Sequence, residues 1–285
     1  MRNPLKSPPL PKGDLGGFSF RLYKPKATHY LLLVINIAES EGGISQVAWG
    51  LWFHFWLVLL TLVAGGIVIS ITFVKVDHAL IQRLARWWGR TLLRMVRIPV
   101  QVEGLEHLAP GQAYVFAANH RSNFDIFVLI AILPGRFLWV AKKSLFKVPV
   151  FGQALTRMGS ISVDRDNLQS AIQSLNKATT IVKSGVSMII FPEGTRATSR
   201  ELLPFKKGVF IMALKAGQPI VPVSISGTRF IQTRQSIRVR PGPIKVVISP
   251  PIAPTTFRRK EELMAAVRQA IDTHYDPDFP YGPGN

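Results

Sequence analysis

From Pro99 onward, short apolar runs of three to six residues alternate with stretches whose apolar positions recur at helical spacing. The runs predict strands over 100–102, 114–117, 137–140, 160–163, 187–191, 220–225 and 245–249, rich in Val, Ile and aromatic residues. Helices are expected over 124–133, 150–158, 168–183 and 208–216, with a last one over 259–274. Strands alternating with helices in this way predict an α/β fold, a mixed but largely parallel sheet covered by helices. The run Ile220-Val221-Pro222-Val223 contains a proline, which cannot donate to a ladder and so points to an edge strand or an irregular one.

The N-terminal third has a different pattern. Trp49 to Val74 is 26 residues without a formal charge, and about 20 suffice for a helix to cross the hydrocarbon of a bilayer. Gly65 and Gly66 interrupt it, either to permit a bend or to allow close helix packing. Beyond it, Arg83, Arg86, Arg90, Arg94 and Arg97 recur at steps of three and four. Ile81, Leu84, Trp88, Leu92, Met95 and Val96 fall largely on the other side. A cationic stripe opposite an apolar face, directly after the apolar run, points to the plane of an anionic lipid surface; the alternative is a solvated face of a core-packed helix.

Four segments follow: a flexible basic arm at 1–29, membrane-anchoring helices at 30–98, a catalytic domain at 99–275 and a loose tail at 276–285. No internal repeat is visible. Thirty-five Lys and Arg against sixteen Asp and Glu give a net charge of +19, which favours anionic partners without choosing among nucleic acid, phospholipid and phosphorylated substrate. The absence of cysteine excludes disulfides, thiolate catalysis and Cys-based metal sites. Basic residues on both flanks of the apolar run leave the orientation of a single crossing open.

Candidate chemistry gathers at the ends of predicted strands. In Asn-His-Arg-Ser-Asn-Phe-Asp, residues 119–125, a five-residue offset would put His120 and Asp125 about 140° apart on a continuous helix, so a turn must intervene. Ser122 or Asn123 is suited to cap the helix that follows, and Asp125 falls in its first turn. A carboxylate there can hold one ring nitrogen of His120 and leave the other to accept a proton from a hydroxyl. No GxSxG elbow supplies a nucleophile, so direct deprotonation of an acceptor alcohol is the simplest chemistry. Phe-Pro-Glu-Gly-Thr-Arg, residues 191–196, places Arg196 at a sheet edge where ligands bind, near Lys206 and Lys207. Gly159 to Arg165 delivers Asp164 and Arg165 in the same manner.

In this order the blocks resemble those of the glycerolipid acyltransferases, over about residues 100 to 250, and most closely the 1-acylglycerol-3-phosphate acyltransferases. The resemblance implies His120 as general base with Asp125 as its partner, and Glu193, Gly194, Thr195, Arg196, Arg165 and Lys206 as substrate-binding residues. Ser162 and Val163 replace the aromatic residue and isoleucine usual before that arginine. The implied reaction moves an acyl group from acyl-CoA or acyl carrier protein to the sn-2 hydroxyl of lysophosphatidic acid. No metal or redox cofactor is implied, nor nucleic acid as a partner. Backbone N–H groups at the start of the His120 to Asp125 turn are candidates to stabilise the oxyanion. The implied location is a membrane, with the catalytic domain facing the cytoplasm (the inner membrane if the source is bacterial) and phospholipids as partners. Three rivals stand beside this reading: another lysolipid or an acylated amino acid as acceptor, a thioester hydrolase, and a non-catalytic basic protein that binds membrane or nucleic acid.

Overall fold

A computed structural model describes residues 43–74, 76–164 and 166–282. The expected arm at 1–29 and Arg165 lie outside the described residues. Helix α1 runs over Gly43–Val74 and α2 over His78–Met95, the latter begun by Asp77, whose side chain accepts from the Leu80 N–H. Then come β1 (Val100–Glu103), β2 (Val115–Ala118), α3 (Phe124–Ile132), β3 (Phe137–Lys142), α4 (Phe151–Met158) and β4 (Ile161–Val163). Next are α5 (Leu168–Lys183), β5 (Ser187–Ile190), α6 (Lys207–Ala216), β6 (Ile220–Ser226), the single turn α7 (Thr228–Ile231), β7 (Ile244–Ile248) and α8 (Lys260–His274).

The seven strands form one sheet in the order β1-β7-β6-β2-β5-β3-β4, parallel except where β6 meets β7. Successive side chains of a strand point to opposite faces, so the central strands feed two cores. Phe116, Ala118, Ile189, Val221 and Val223 face a layer made by α1, α2 and α3. Val115, Ala117, Met188, Ile190 and Ile220 face α5, α6 and α8. Burial on both faces is why these strands read as continuous apolar runs rather than alternating ones.

Helices α1 and α2 belong to this architecture rather than hanging from it. Phe53, Leu60, Ala64, Trp88 and Leu92 sit in the same core as β2 and α3, and Phe53 meets the rings of Phe124 and Phe127. Each of the larger side chains among these contributes roughly 1.5–3 kcal/mol. Helix α1 passes through Gly65 and Gly66 without a break. Gly65 is there for contact, since a Cβ would stand 2.6 Å from Val150 Cγ1.

Two readings that left alternatives are narrowed and one expectation is corrected. For Pro222 the irregular ladder holds and the edge does not, since β6 is an interior strand. Its carbonyl accepts from the Ser249 N–H on the β7 side, just past the last ladder pair Val223–Ile248, so its missing donor falls where the ladder ends. Of the arginine stripe, Arg86 donates to the Gly135 carbonyl and Arg90 to that of Ala131, satisfying the C-terminal end of α3. Residues 276–282 are held rather than loose: Asp278 is buried, pairs with Arg200, and receives the N–H groups of Tyr281 and Gly282 at its carbonyl.

Candidate active site

Strands β2 and β5 are parallel neighbours, so both C-terminal ends reach the same sheet edge and carry the two predicted loops there together. The first loop begins with Asn119, fully buried, whose side chain accepts from the Ile225 N–H (2.7 Å) and donates to the Ile225 carbonyl (2.8 Å). This amide continues the β2–β6 pairing by one residue and fixes where the chain turns. His120 follows. Its Nδ1 lies 2.8 Å from Asp125 Oδ2, which also accepts the backbone N–H groups of Arg121 (2.6 Å) and Ser122 (2.8 Å). The offset of five residues is thus closed by a turn wrapped around the carboxylate. Asn123 occupies the cap position of α3 without a side-chain capping bond, and the Phe124 N–H reaches Ser122 Oγ at 3.4 Å.

The second loop clamps the first. Glu193, 2 % exposed, accepts the His120 N–H on Oε1 and the Leu203 N–H on Oε2, each at 2.8 Å, while the Ala197 N–H donates to the His120 carbonyl. Both backbone groups of His120 are therefore held. Burial pushes the Glu193 carboxyl above the ordinary range, against the pull of those two N–H donors. The His120 ring stacks on Phe191, with centroids 3.8 Å apart and planes 8° from parallel. Phe191 in turn meets Trp139 at 5.9 Å. The imidazole side chain remains 12 % exposed, whereas Asp125 is sealed. A carboxylate facing Nδ1 favours the tautomer with its N–H there, which leaves the ring's lone pair on Nε2.

Of the expected substrate-binding residues, Arg196 donates to Asn123 Oδ1 at 2.8 Å, bringing a guanidinium to the His120 loop. Burial first, and then the charge of Arg234, lower its pKa, with Asp125 acting the other way. Gly194 has φ of +74° and the Lys206 stem beside it, while Thr195 and Lys206 are exposed at the same loop. Glu193 differs from the expectation: both of its oxygens are engaged by backbone donors, so it shapes the loop rather than facing a ligand. The backbone N–H groups of His120, Arg121 and Ser122 are likewise engaged by carboxylates, which removes them as oxyanion donors. Sequence reasoning missed Asn119, the stacking role of Phe191, and Arg234. Only Phe191 carried a signal, as the residue between the apolar run and Pro192.

The family profile described as Acyltransferase matches residues 99–226, which contain both loops. A 1-acyl-sn-glycerol-3-phosphate acyltransferase of Limnanthes alba is 36 % identical over 222 residues, covering 75 % of this chain and 78 % of that protein. The protein so named from Saccharomyces cerevisiae is 40 % identical over 168 residues, 57 % of this chain and 55 % of its own. The crystal structure of the 1-acyl-sn-glycerophosphate (LPA) acyltransferase, PlsC, from Thermotoga maritima superposes with a TM-score of 0.72 at 27 % identity, covering 81 % of this chain and 94 % of that one. Likeness on this scale, in sequence across three quarters of both partners and in the course of the backbone, establishes that the chain belongs to the 1-acyl-sn-glycerol-3-phosphate acyltransferase family.

Proposed function

We propose that this protein transfers a fatty acyl group from an acyl thioester to the free sn-2 hydroxyl of 1-acylglycerol 3-phosphate, giving phosphatidic acid. The observation that carries this reading is the His120–Asp125 contact, which leaves Nε2 as a base in the loop that the Arg196 guanidinium reaches through Asn123. The acceptor phosphate binds Arg196, with Lys206 and, by resemblance, Arg165. Its hydroxyl oxygen attacks the thioester carbonyl as His120 Nε2 takes the proton, and Asp125 stabilises the imidazolium. The C–S bond then breaks, and the proton on His120 passes to the leaving thiolate. No step calls on a metal or a redox cofactor. Acyl-CoA or acyl carrier protein supplies the thioester, and Glu193, Gly194 and Thr195 shape the loop on which the acceptor rests.

An apolar cavity of about 100 Å³ lies between α1, α2, α3, β3 and α4, lined by residues including Ala64, Trp88, Ile126, Trp139 and Phe151. Trp139 touches Phe191, which stacks on His120, so this cavity suits a short segment of the acyl chain and is too small for the whole of it. If Arg196 binds the phosphate, Arg196→Ala raises KM for lysophosphatidic acid by about 10- to 100-fold, the range for losing a charge-assisted hydrogen bond. Rates with monoacylglycerol, which lacks the phosphate, stay as in the unaltered enzyme. An equal loss with both acceptors excludes this role.

Helix α1 is long and apolar enough to cross a membrane. Yet it contacts the catalytic domain from Gly50, against Ile237, to Phe73, against Arg157, with Phe53, Leu60, Ala64 and Val68 buried between. A crossing helix would draw the sheet into the hydrocarbon. The helix therefore lies in the surface of the leaflet with Leu51, Phe55, Val58 and Leu62 outward in lipid, and the active site at the lipid surface. Under this reading the face that carries the site is taken to be the cytoplasmic one, where it would meet the thioester donor. A triple Leu51→Ser, Phe55→Ser, Val58→Ser variant loses vesicle co-sedimentation by more than about 100-fold in partition, while its fold is kept because these side chains lie outside the core. Unchanged partition overturns this placement. Deleting 1–98 is not an equivalent test, because it removes part of the core.

A further inference from the structure

Behind the catalytic loop lies a group of buried polar side chains that the acyl-transfer mechanism does not use. Asp125 carries its three donors on Oδ2 alone, and its other oxygen, Oδ1, is buried without a partner among the described residues. Arg121 is 2 % exposed and donates through Nη1 to the Ser199 carbonyl (3.0 Å) and through Nη2 to that of Arg200 (3.4 Å), but its Nε is also unpartnered. Its guanidinium lies over the ring of Tyr275, 4.8 Å from the centroid. Tyr275, the residue that ends α8, is buried, and its hydroxyl too has no partner. Burial raises the Tyr275 pKa, with Arg121 and Arg229 opposing and the Asp125 and Glu193 charges reinforcing, so this phenol senses the carboxylate that holds the base. Thr228 Oγ1 and Arg229 Nη1 complete the set.

These atoms are complementary: Tyr275, Thr228 and the two arginines offer hydrogens, and Asp125 Oδ1 needs one. Buried polar groups left over in this way are joined by ordered water when two to four of them converge. We propose that Tyr275 is a positioning residue for the His120–Asp125 pair, its hydroxyl donating to a buried water that donates in turn to Asp125 Oδ1 and is shared with Arg121 Nε. The water fixes the carboxylate plane, so Oδ2 faces Nδ1 of His120 and the ring keeps its orientation. Through Tyr275 the C-terminal end of the chain reaches the catalytic base across 155 residues of sequence. The inference rests on His120 being the base.

The test uses the full-length enzyme, with Tyr275→Phe, which keeps the ring over Arg121 and removes only the hydroxyl, and His120→Ala in parallel. Tyr275→Phe is expected to lower kcat about 10-fold with KM for lysophosphatidic acid unchanged. The low-field Nδ1–H resonance of His120 in histidine-labelled protein shifts with it. A merely structural role instead lowers the thermal midpoint and leaves both kcat per folded molecule and that resonance as they were, which overturns the proposal. Full activity in Tyr275→Phe beside an inactive His120→Ala also overturns the proposal, whereas an active His120→Ala overturns the underlying mechanism. Should Tyr275→Phe not fold, a high-resolution crystal structure decides. A water about 2.7–3.2 Å from both Tyr275 Oη and Asp125 Oδ1 supports the inference, and a dry contact between other groups at Oδ1 ends it.

Discussion

Replacing His120 with alanine is expected to lower kcat for acyl transfer by about 10²- to 10⁴-fold, the range contributed by a positioned general base. Stability and acceptor binding should survive the change. The backbone of His120 is gripped independently of its ring, by Glu193 at the N–H and Ala197 at the carbonyl, and the ring itself stacks on Phe191. The phosphate anchor is a different residue, Arg196, bound to Asn123 and not to the imidazole. Kinetics with lysophosphatidic acid, read beside a thermal unfolding curve, separate these effects. A fall in kcat with KM and unfolding midpoint preserved is the expected outcome. Retention of more than about a tenth of the rate would rule out a general base here.

Asp125 should show a double effect. One oxygen takes three donors, two of them backbone N–H groups in a site with no solvent exposure. Asp125→Ala leaves both N–H groups buried without partners, at about 1–3 kcal/mol each. That is a large share of a typical stability of about 5–15 kcal/mol. Asp125→Asn retains the volume and one acceptor oxygen, so it should unfold between the unaltered protein and Asp125→Ala. The amide cannot stabilise an imidazolium, and its N–H₂ favours the wrong tautomer of His120. Activity should therefore fall at least about 100-fold in Asp125→Asn even where the protein stays folded. Initial rates and thermal midpoints of the two variants give the comparison. Equal midpoints for both would mean that the carboxylate does not organise the turn.

Much of this was legible because its causes are local in sequence. The central strands are buried on both faces and so stand out as apolar runs, and the turn joining His120 to Asp125 follows from an offset that a continuous helix cannot accommodate. The clamp by Glu193 was not legible, because a carboxylate at a strand end looks the same whether it faces a ligand or two backbone amides 73 and 10 residues away. Arg86 and Arg90 show the same ambiguity. Spacing put them on one side of α2, but nothing in spacing tells a lipid headgroup from the exposed carbonyls at the end of α3. Pro222 left an edge and an irregular ladder both open because the sequence shows the missing donor, not where the neighbouring ladder stops. The tail misled for a related reason: Pro277, Pro280 and Gly282 disfavour helix and strand, yet Arg200 and the Asp276 side chain still tie the segment down. Arg121 and Tyr275 meet only through the fold, with no periodicity to announce it.

The most direct test of the account is the identity of the product. Purified protein in lipid vesicles should be given 1-acylglycerol 3-phosphate and an isotopically labelled acyl thioester, and the lipids analysed by mass spectrometry. The account predicts labelled phosphatidic acid with the new chain at sn-2, formed only when the acceptor is present. Labelled free fatty acid released at the same rate with and without acceptor, and no labelled phosphatidic acid, would contradict it.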